Sequence, residues 1–217
     1  MASRSHSPRP LLVRVVMAVA AVGLFLVGYQ WGNQYQRAQE GPPQIAGVLL
    51  SPSVVLPEIA LRGPRGQFTT DDLETPWSLL AFGRPGSARG HRGVARLIAV
   101  WNRTADQPDL REQLRLLLVS ADDVPGLARD LERLTPNLFV LSTSQAELGR
   151  LRQAMGASGD AQEDGDELPP TLFLIGPQAR LVALFPGSQP AAQIAEDLGR
   201  LAERPDAFTS AAERDGG

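Results

Sequence analysis

The feature that most constrains this chain is the stretch from Trp77 to Gly93, which reads Trp-Ser-Leu-Leu-Ala-Phe-Gly-Arg-Pro-Gly-Ser-Ala-Arg-Gly-His-Arg-Gly. Leu79 to Phe82 is an uninterrupted apolar run, the pattern of a strand buried on both faces. Gly83, Pro85 and Gly86 break it. From Val94 the period becomes helical, with Val94, Leu97, Ile98 and Trp101 on one face and an end near Arg103. Strand, tight loop and helix form the first half of a βαβ unit. In open α/β sheets, ligands sit beyond the carboxyl ends of such strands, so the search for a site begins at Gly83–Gly93.

The rest of the chain supplies partners for that unit. Val54–Leu61 and Gln67–Thr69, separated by Gly63-Pro-Arg-Gly66, predict an N-terminal β-hairpin. Leu114–Ser120 predicts a second buried strand, parallel to the first because a helix intervenes. Asp122 and Asp123 open a helix running to Leu134, where acids suit the positive end of the dipole. Leu138–Leu141 is a short strand. Ser144 and Glu147, three apart, form a capping box for a helix carrying Leu148, Leu151 and Met155. Thr171–Ile175 and Arg180–Phe185, joined by Gly176-Pro-Gln-Ala179, predict a second hairpin. Ser188 is placed to cap a last helix from Pro190 to Ala202. The expected architecture is α/β and thioredoxin-like: a central mixed sheet flanked by helices, with an N-terminal hairpin.

The N-terminus predicts one transmembrane helix. Residues 11–31 are apolar apart from Arg14 until Tyr29, close to the ~20 residues a bilayer requires. Arg4, Arg9 and Arg14 precede or begin the span, and the first acid is Glu40. The positive-inside rule then places residues 1–10 in the cytoplasm and the domain outside. Gly28-Tyr-Gln-Trp31 is too bulky for a signal-peptide cleavage site, which favours an uncleaved anchor over a secretory leader. Residues 32–53, rich in Gly, Gln, Pro and Ser, read as a linker; residues 54–203 form the domain, and 204–217 a frayed tail.

Composition narrows the chemistry. Net charge is only −3, which carries no nucleic-acid footprint. There is no cysteine among the 217 residues, so disulfides, thiol redox and thiolate ligation are excluded.

Several segments resemble the Sco/SenC family, membrane-anchored thioredoxin-fold factors associated with assembling the copper centre of cytochrome oxidase. These are Leu56-Pro-Glu-Ile-Ala-Leu, Trp77-Ser-Leu-Leu-Ala-Phe-Gly, Leu118-Val-Ser-Ala-Asp-Asp-Val-Pro125 and, most specifically, Leu172–Phe185. The resemblance covers about residues 54–203. It implies a bacterial inner-membrane protein with a periplasmic domain. The implied partners are respiratory oxidase subunits or another Sco-like protein. The family's C-x-x-x-C positions are occupied here by Ser87 and His91, and its ligand His falls near Leu168. One imidazole without a thiolate does not suit copper. The resemblance therefore implies a degenerate member acting through protein contacts, with no cofactor of its own and no enzymatic activity.

Other readings attach to the same loop. Ser87 and His91, four apart, could share a helical face as nucleophile and base, although no orienting acid is evident. Arg84, Arg89, Arg92 and Arg96, interleaved with glycines, could hold an anion or an acidic partner. By analogy with thioredoxin folds, Pro170 is expected to be cis, with a neighbouring backbone edge open to an extended peptide. This keeps a peptide-binding or scaffold role in view. Asp160, Glu163, Asp164, Asp166 and Glu167 lack the spacing of a calcium loop and read as an acidic loop. Trp77 and Trp101 fit core positions.

Overall fold

The strand at the centre of the fold is where the apolar run put it. In the computed structural model, Trp77–Phe82 (β4) is buried along its whole length. The structure describes Met17, Val19, Val22–Leu26 and residues 43–74, 77–157 and 169–204. The chain divides into two units, Met1–Pro42 and Pro43–Gly217. In the first, the described residues are helical and exposed. Among the described residues no helix is long and apolar enough to cross a membrane. The predicted tail over 1–10 and most of the predicted anchor over 11–31 lie outside the described residues, as do residues 205–217.

Among its described residues the second unit contains eight strands: β1 (Val48–Val55), β2 (Ala60–Gly63), β3 (Gly66–Thr69), β4, β5 (Leu114–Ser120), β6 (Leu138–Ser142), β7 (Leu172–Gly176) and β8 (Arg180–Phe185). They form one sheet in the order β1-β8-β7-β4-β5-β6-β2-β3. The β4, β5 and β6 strands run parallel, and β7 joins β4 antiparallel. The α-helices among the described residues of this unit are α1 (Ala88–Arg103), α2 (Pro108–Gln113), α3 (Pro125–Leu134), α4 (Gln145–Ala154) and α5 (Ala191–Ala202).

Alternation along the central strands sorts the core into two layers, because successive side chains on a strand point to opposite faces. Leu79, Ala81, Leu116, Leu118, Leu172 and Leu174 pack under α1, α3 and α5. Leu80, Phe82, Leu117, Val119, Phe173 and Ile175 pack under α4 and the N-terminal segments. Each central strand is covered on both sides, which explains its continuous apolar sequence.

Four expectations are corrected. The predicted linker over 32–53 runs into β1, which pairs with β8 at the sheet edge. Its entry is fixed by Asp197 on α5, a buried carboxylate accepting from the Ala46 and Gly47 N–H groups. Ser51, Pro52 and Ser53 disguised this strand; Pro52 is tolerated at an edge where the register shifts between Leu49 and Val54. The predicted strand Val54–Leu61 is divided between β1 and β2, and the N-terminal hairpin is β2–β3. Asp122 and Asp123 precede α3, whose first turn begins at Pro125. Ser188 does not cap α5; Pro190 occupies that position without a side-chain bond. The short helix α2, with Pro108 in its first turn, is not among the elements predicted from the sequence.

Candidate functional site at the carboxyl end of β4

The chain leaves β4 with the Gly83 N–H donating to the Val119 carbonyl of β5, then turns within Arg84–Ser87. The Ser87 N–H donates to the Arg84 carbonyl at 2.9 Å, closing the turn. Ser87 is the N-cap of α1, and its Oγ accepts from the Gly90 N–H at 3.0 Å. The same hydroxyl donates to the Arg84 carbonyl at 2.9 Å. Only glycine fits at position 90, because a Cβ there would lie 1.8 Å from the Arg84 carbonyl oxygen. Helix and loop are thus in backbone contact.

This geometry decides between the roles proposed for Ser87. Its hydroxyl hydrogen bonds go to the turn and the helix terminus, as capping serines do, and not to His91. The His91 ring is exposed on the next turn. The two side chains therefore do not form a nucleophile–base pair in this arrangement. Leu168 lies outside the described residues. Among the described residues no three His, Cys, Asp or Glu side chains converge on a point. A capping hydroxyl and one exposed imidazole are a poor donor set for copper, which takes sulfur as Cu(I) and several nitrogens as Cu(II).

The arginines do not form one basic surface. Arg89 and Arg96 are buried, Arg92 is half-buried and Arg84 is exposed. Arg96 reaches under the loop to three main-chain carbonyls: Pro170 at 2.7 Å, Pro186, and Gln189 at 3.0 Å. Desolvation pushes its guanidinium below the usual arginine range. This side chain ties α1 to the segments flanking the β7–β8 hairpin. Beside it Gly187 is confined, since a Cβ there would sit 2.0 Å from the Pro169 carbonyl oxygen. The Pro169–Pro170 bond, expected to be cis, is trans; the cis bond among the described residues is Ser51–Pro52. Trans is the lower-energy isomer of an X–Pro bond, and here it coexists with the Pro170 carbonyl turned to Arg96. The following strand, β7, lies between β4 and β8, so it offers no open edge to a peptide.

Arg84 turns the other way. Its Nε donates to Asp122 Oδ2 at 2.8 Å across the ends of β4 and β5. Asp122 itself sits in a tight Ser120 turn, its N–H on Ser120 Oγ and its carbonyl accepting from the same hydroxyl. Beyond this pair the connections diverge. The chains leaving β4 and β5 pass to the α1–α3 face, and the chain leaving β6 passes to the α4 face. A divergence of this kind opens a crevice at the carboxyl ends of the strands. Here the crevice, of about 260 Å³, is lined by Gly83, Arg84, Ser120, Asp122, Gln145 and Arg152 among others. Arg152, which the sequence did not single out, lies with its guanidinium 5.3 Å from the centre of the Phe82 ring. Its signal would have been a cation on the apolar side of α4. A wider groove of about 750 Å³ continues between the β6–α4 turn and the β2–β3 hairpin, lined by Asp123, Ser144 and Glu147 among others. There the capping box is formed as predicted. Hydrogen bonds from Thr143 and Ser144, with a smaller contribution from Arg150, hold the Glu147 carboxyl below the usual glutamate range.

No protein-family model matches the sequence, and no curated protein matches it. Solved structures do. Apo Sco1 from Thermus thermophilus aligns with a TM-score of 0.57 at 21% identity, covering 75% of this chain and 99% of that one. Yeast Sco1 with copper bound aligns with a TM-score of 0.56 at 14% identity, covering 69% and 93%. BsSco, described as a member of the Sco family of cytochrome c oxidase assembly proteins with a disulfide switch, aligns with a TM-score of 0.54 at 15% identity, covering 70% and 96%. A mixed sheet with helices on both faces, matched over nearly the whole of these proteins, gives this chain the thioredoxin-like fold of the Sco proteins.

Proposed function

We propose that this chain is a degenerate Sco-type accessory protein. It supports biogenesis of a cytochrome c oxidase through protein contacts made by the Arg84–Arg92 loop, without carrying copper or thiol electrons. One observation carries the reading: the fold is that of the Sco proteins, but the loop after β4 holds a helix-capping Ser87 and an exposed His91. The scaffold's shape is retained while the ligand chemistry is not. On this reading Arg4, Arg9 and Arg14 hold the N-terminus in the cytoplasm, residues 11–31 anchor the chain in the inner membrane, and the domain faces the periplasm.

The test pairs a deletion strain with the purified full chain. Impaired oxidase assembly on deletion, and copurification of oxidase subunits or a copper-carrying Sco protein, are expected. Normal oxidase assembly in the deletion strain overturns the accessory role. Copper titration of the full chain should reveal no stoichiometric site, and submicromolar Cu(I) binding would refute the degenerate reading.

A further inference from the structure

We propose that the crevice between the β2–β3 turn and the start of α3 binds a free α-amino acid with an apolar side chain. Arg62 and Arg129 take its carboxylate and Asp123 its ammonium. The crevice, of about 380 Å³, arises where β2 leaves the sheet beyond its bridge to β6 at Arg62 and Ser142. The turn is then tied to α3 and its exit by Arg65. Its Nε donates to Glu132 Oε2 at 3.0 Å and its Nη2 to the Pro136 carbonyl at 2.9 Å. Glu132 is buried, so the two walls stand at a fixed separation before any ligand arrives.

The charges reach the crevice from different elements. Arg62 projects to the α3 side, because its neighbour Leu61 packs in the layer under α4 and side chains alternate along a strand. Ser142 pairs with Arg62 on β2 and with Ser120 on β5, so two strand spacings, about 10 Å, separate Arg62 from Ser120. Asp123 follows three residues later. Among the described residues, the Arg62 guanidinium and the Asp123 carboxylate line this crevice without a hydrogen-bond or ion-pair partner. Arg129 uses its Nε on the Pro125 carbonyl of its own helix, which leaves its terminal nitrogens for the crevice. Asp122 also lines the crevice, and its carboxylate accepts from Arg84 at 2.8 Å.

This pattern selects the ligand. Each guanidinium is a planar fork that matches a carboxylate in two-point contact, and an ammonium suits Asp123. A zwitterion needs both signs from its site and no net charge. A simple carboxylic acid would leave Asp123 facing it, and a simple amine would leave the arginines. Pro64, Val124 and Pro125 supply apolar walls for the side chain, over a floor that includes Val140. The volume is at the low end of the ~300–1,000 Å³ typical of small-molecule sites, which suits an amino acid. Arg62, Asp123 and Arg129 are exposed, so water weakens each contact and the affinity is modest. The assignment stands apart from the oxidase reading, and its failure would leave an accessory role intact.

The experiment titrates the full chain, in nonionic detergent, with L-leucine, N-acetyl-L-leucine, L-leucinamide and glycine. Calorimetry and amide chemical shifts follow binding. Saturable binding of leucine is expected, with the acetylated and amidated analogues about tenfold or more weaker, the loss of one charge-assisted contact. Glycine, lacking the apolar body, should also be weaker. Arg62→Gln should weaken leucine about tenfold. Asp123→Asn should weaken leucine but tighten N-acetyl-leucine, a crossing of signs that structural damage would not produce. The assignment is overturned by absence of saturable leucine binding in the millimolar range, or by either blocked analogue or glycine binding as tightly as leucine. Unchanged leucine affinity in folded Arg62→Gln, or leucine and N-acetyl-leucine moving together in Asp123→Asn, overturns it as well.

Discussion

Replacing Arg96 with methionine tests the claim that a buried cation, and not a surface cluster, organises the loop. Methionine keeps most of the aliphatic stem but removes bonds to the carbonyls of Pro170, Pro186 and Gln189. Hydrogen bonds to a charged group contribute about 1.5–3 kcal/mol each, and stranding a buried acceptor costs about 1–3 kcal/mol. Only Pro170 is buried; Pro186 is exposed and Gln189 half-buried, so water can replace the last two bonds. Relief of the desolvated charge offsets part of the loss. The net destabilisation should be about 2–4 kcal/mol, a fall in Tm of roughly 4–16 °C for a domain of this size. Urea denaturation followed by tryptophan fluorescence measures it. Arg96→Lys, a single point charge without the fork, should fall between wild type and methionine. If the methionine variant is within about 0.5 kcal/mol of wild type, the clamp contributes nothing and the reasoning fails.

Other predictions follow from single positions. Gly90→Ala gains up to ~1 kcal/mol of helix propensity but must displace the Arg84 carbonyl, for a net loss of about 1–3 kcal/mol; Gly149→Ala on α4, where a Cβ meets nothing within 4 Å, should stabilise by about 0.5–1 kcal/mol. The opposite signs are read in one denaturation series, and equal signs would contradict the packing assigned to Gly90. Ser144→Ala should cost about 1 kcal/mol through loss of the α4 cap. Because Glu147 has its folded pKa lowered, the stability it contributes is complete above the usual glutamate value and disappears as pH falls through the lowered one. Glu147→Gln should remove that part of the acid dependence, and an unchanged pH profile would show the carboxylate is not held as described.

The sequence was most legible where structure is local. The capping box at Ser144 and Glu147 needed no tertiary information, because its bonds close within one turn. Ser87 shows the opposite case. Its spacing to His91 suggested a catalytic pair, yet the capping requirement of α1 and the approach of Gly90 to Arg84 claimed its hydroxyl. The arginines were legible as a cluster along the chain, not as the separate roles they take in space. Val48–Val55 was hidden because an edge strand needs only one paired side and tolerates serine and proline.

Residue order alone determined the buried strands, their parallel or antiparallel sense and the absence of thiol chemistry. A strand covered on both faces must be apolar throughout, and an absent side chain cannot be supplied by folding. Tertiary structure decided that Asp197 receives the Ala46–Gly47 backbone, that Arg96 clamps the Pro170 and Pro186 segments, and that Arg84 and Arg152 face one crevice. These are meetings of groups distant along the chain. Periodicity records how deeply each residue is buried, and it carries no information about which partner waits there.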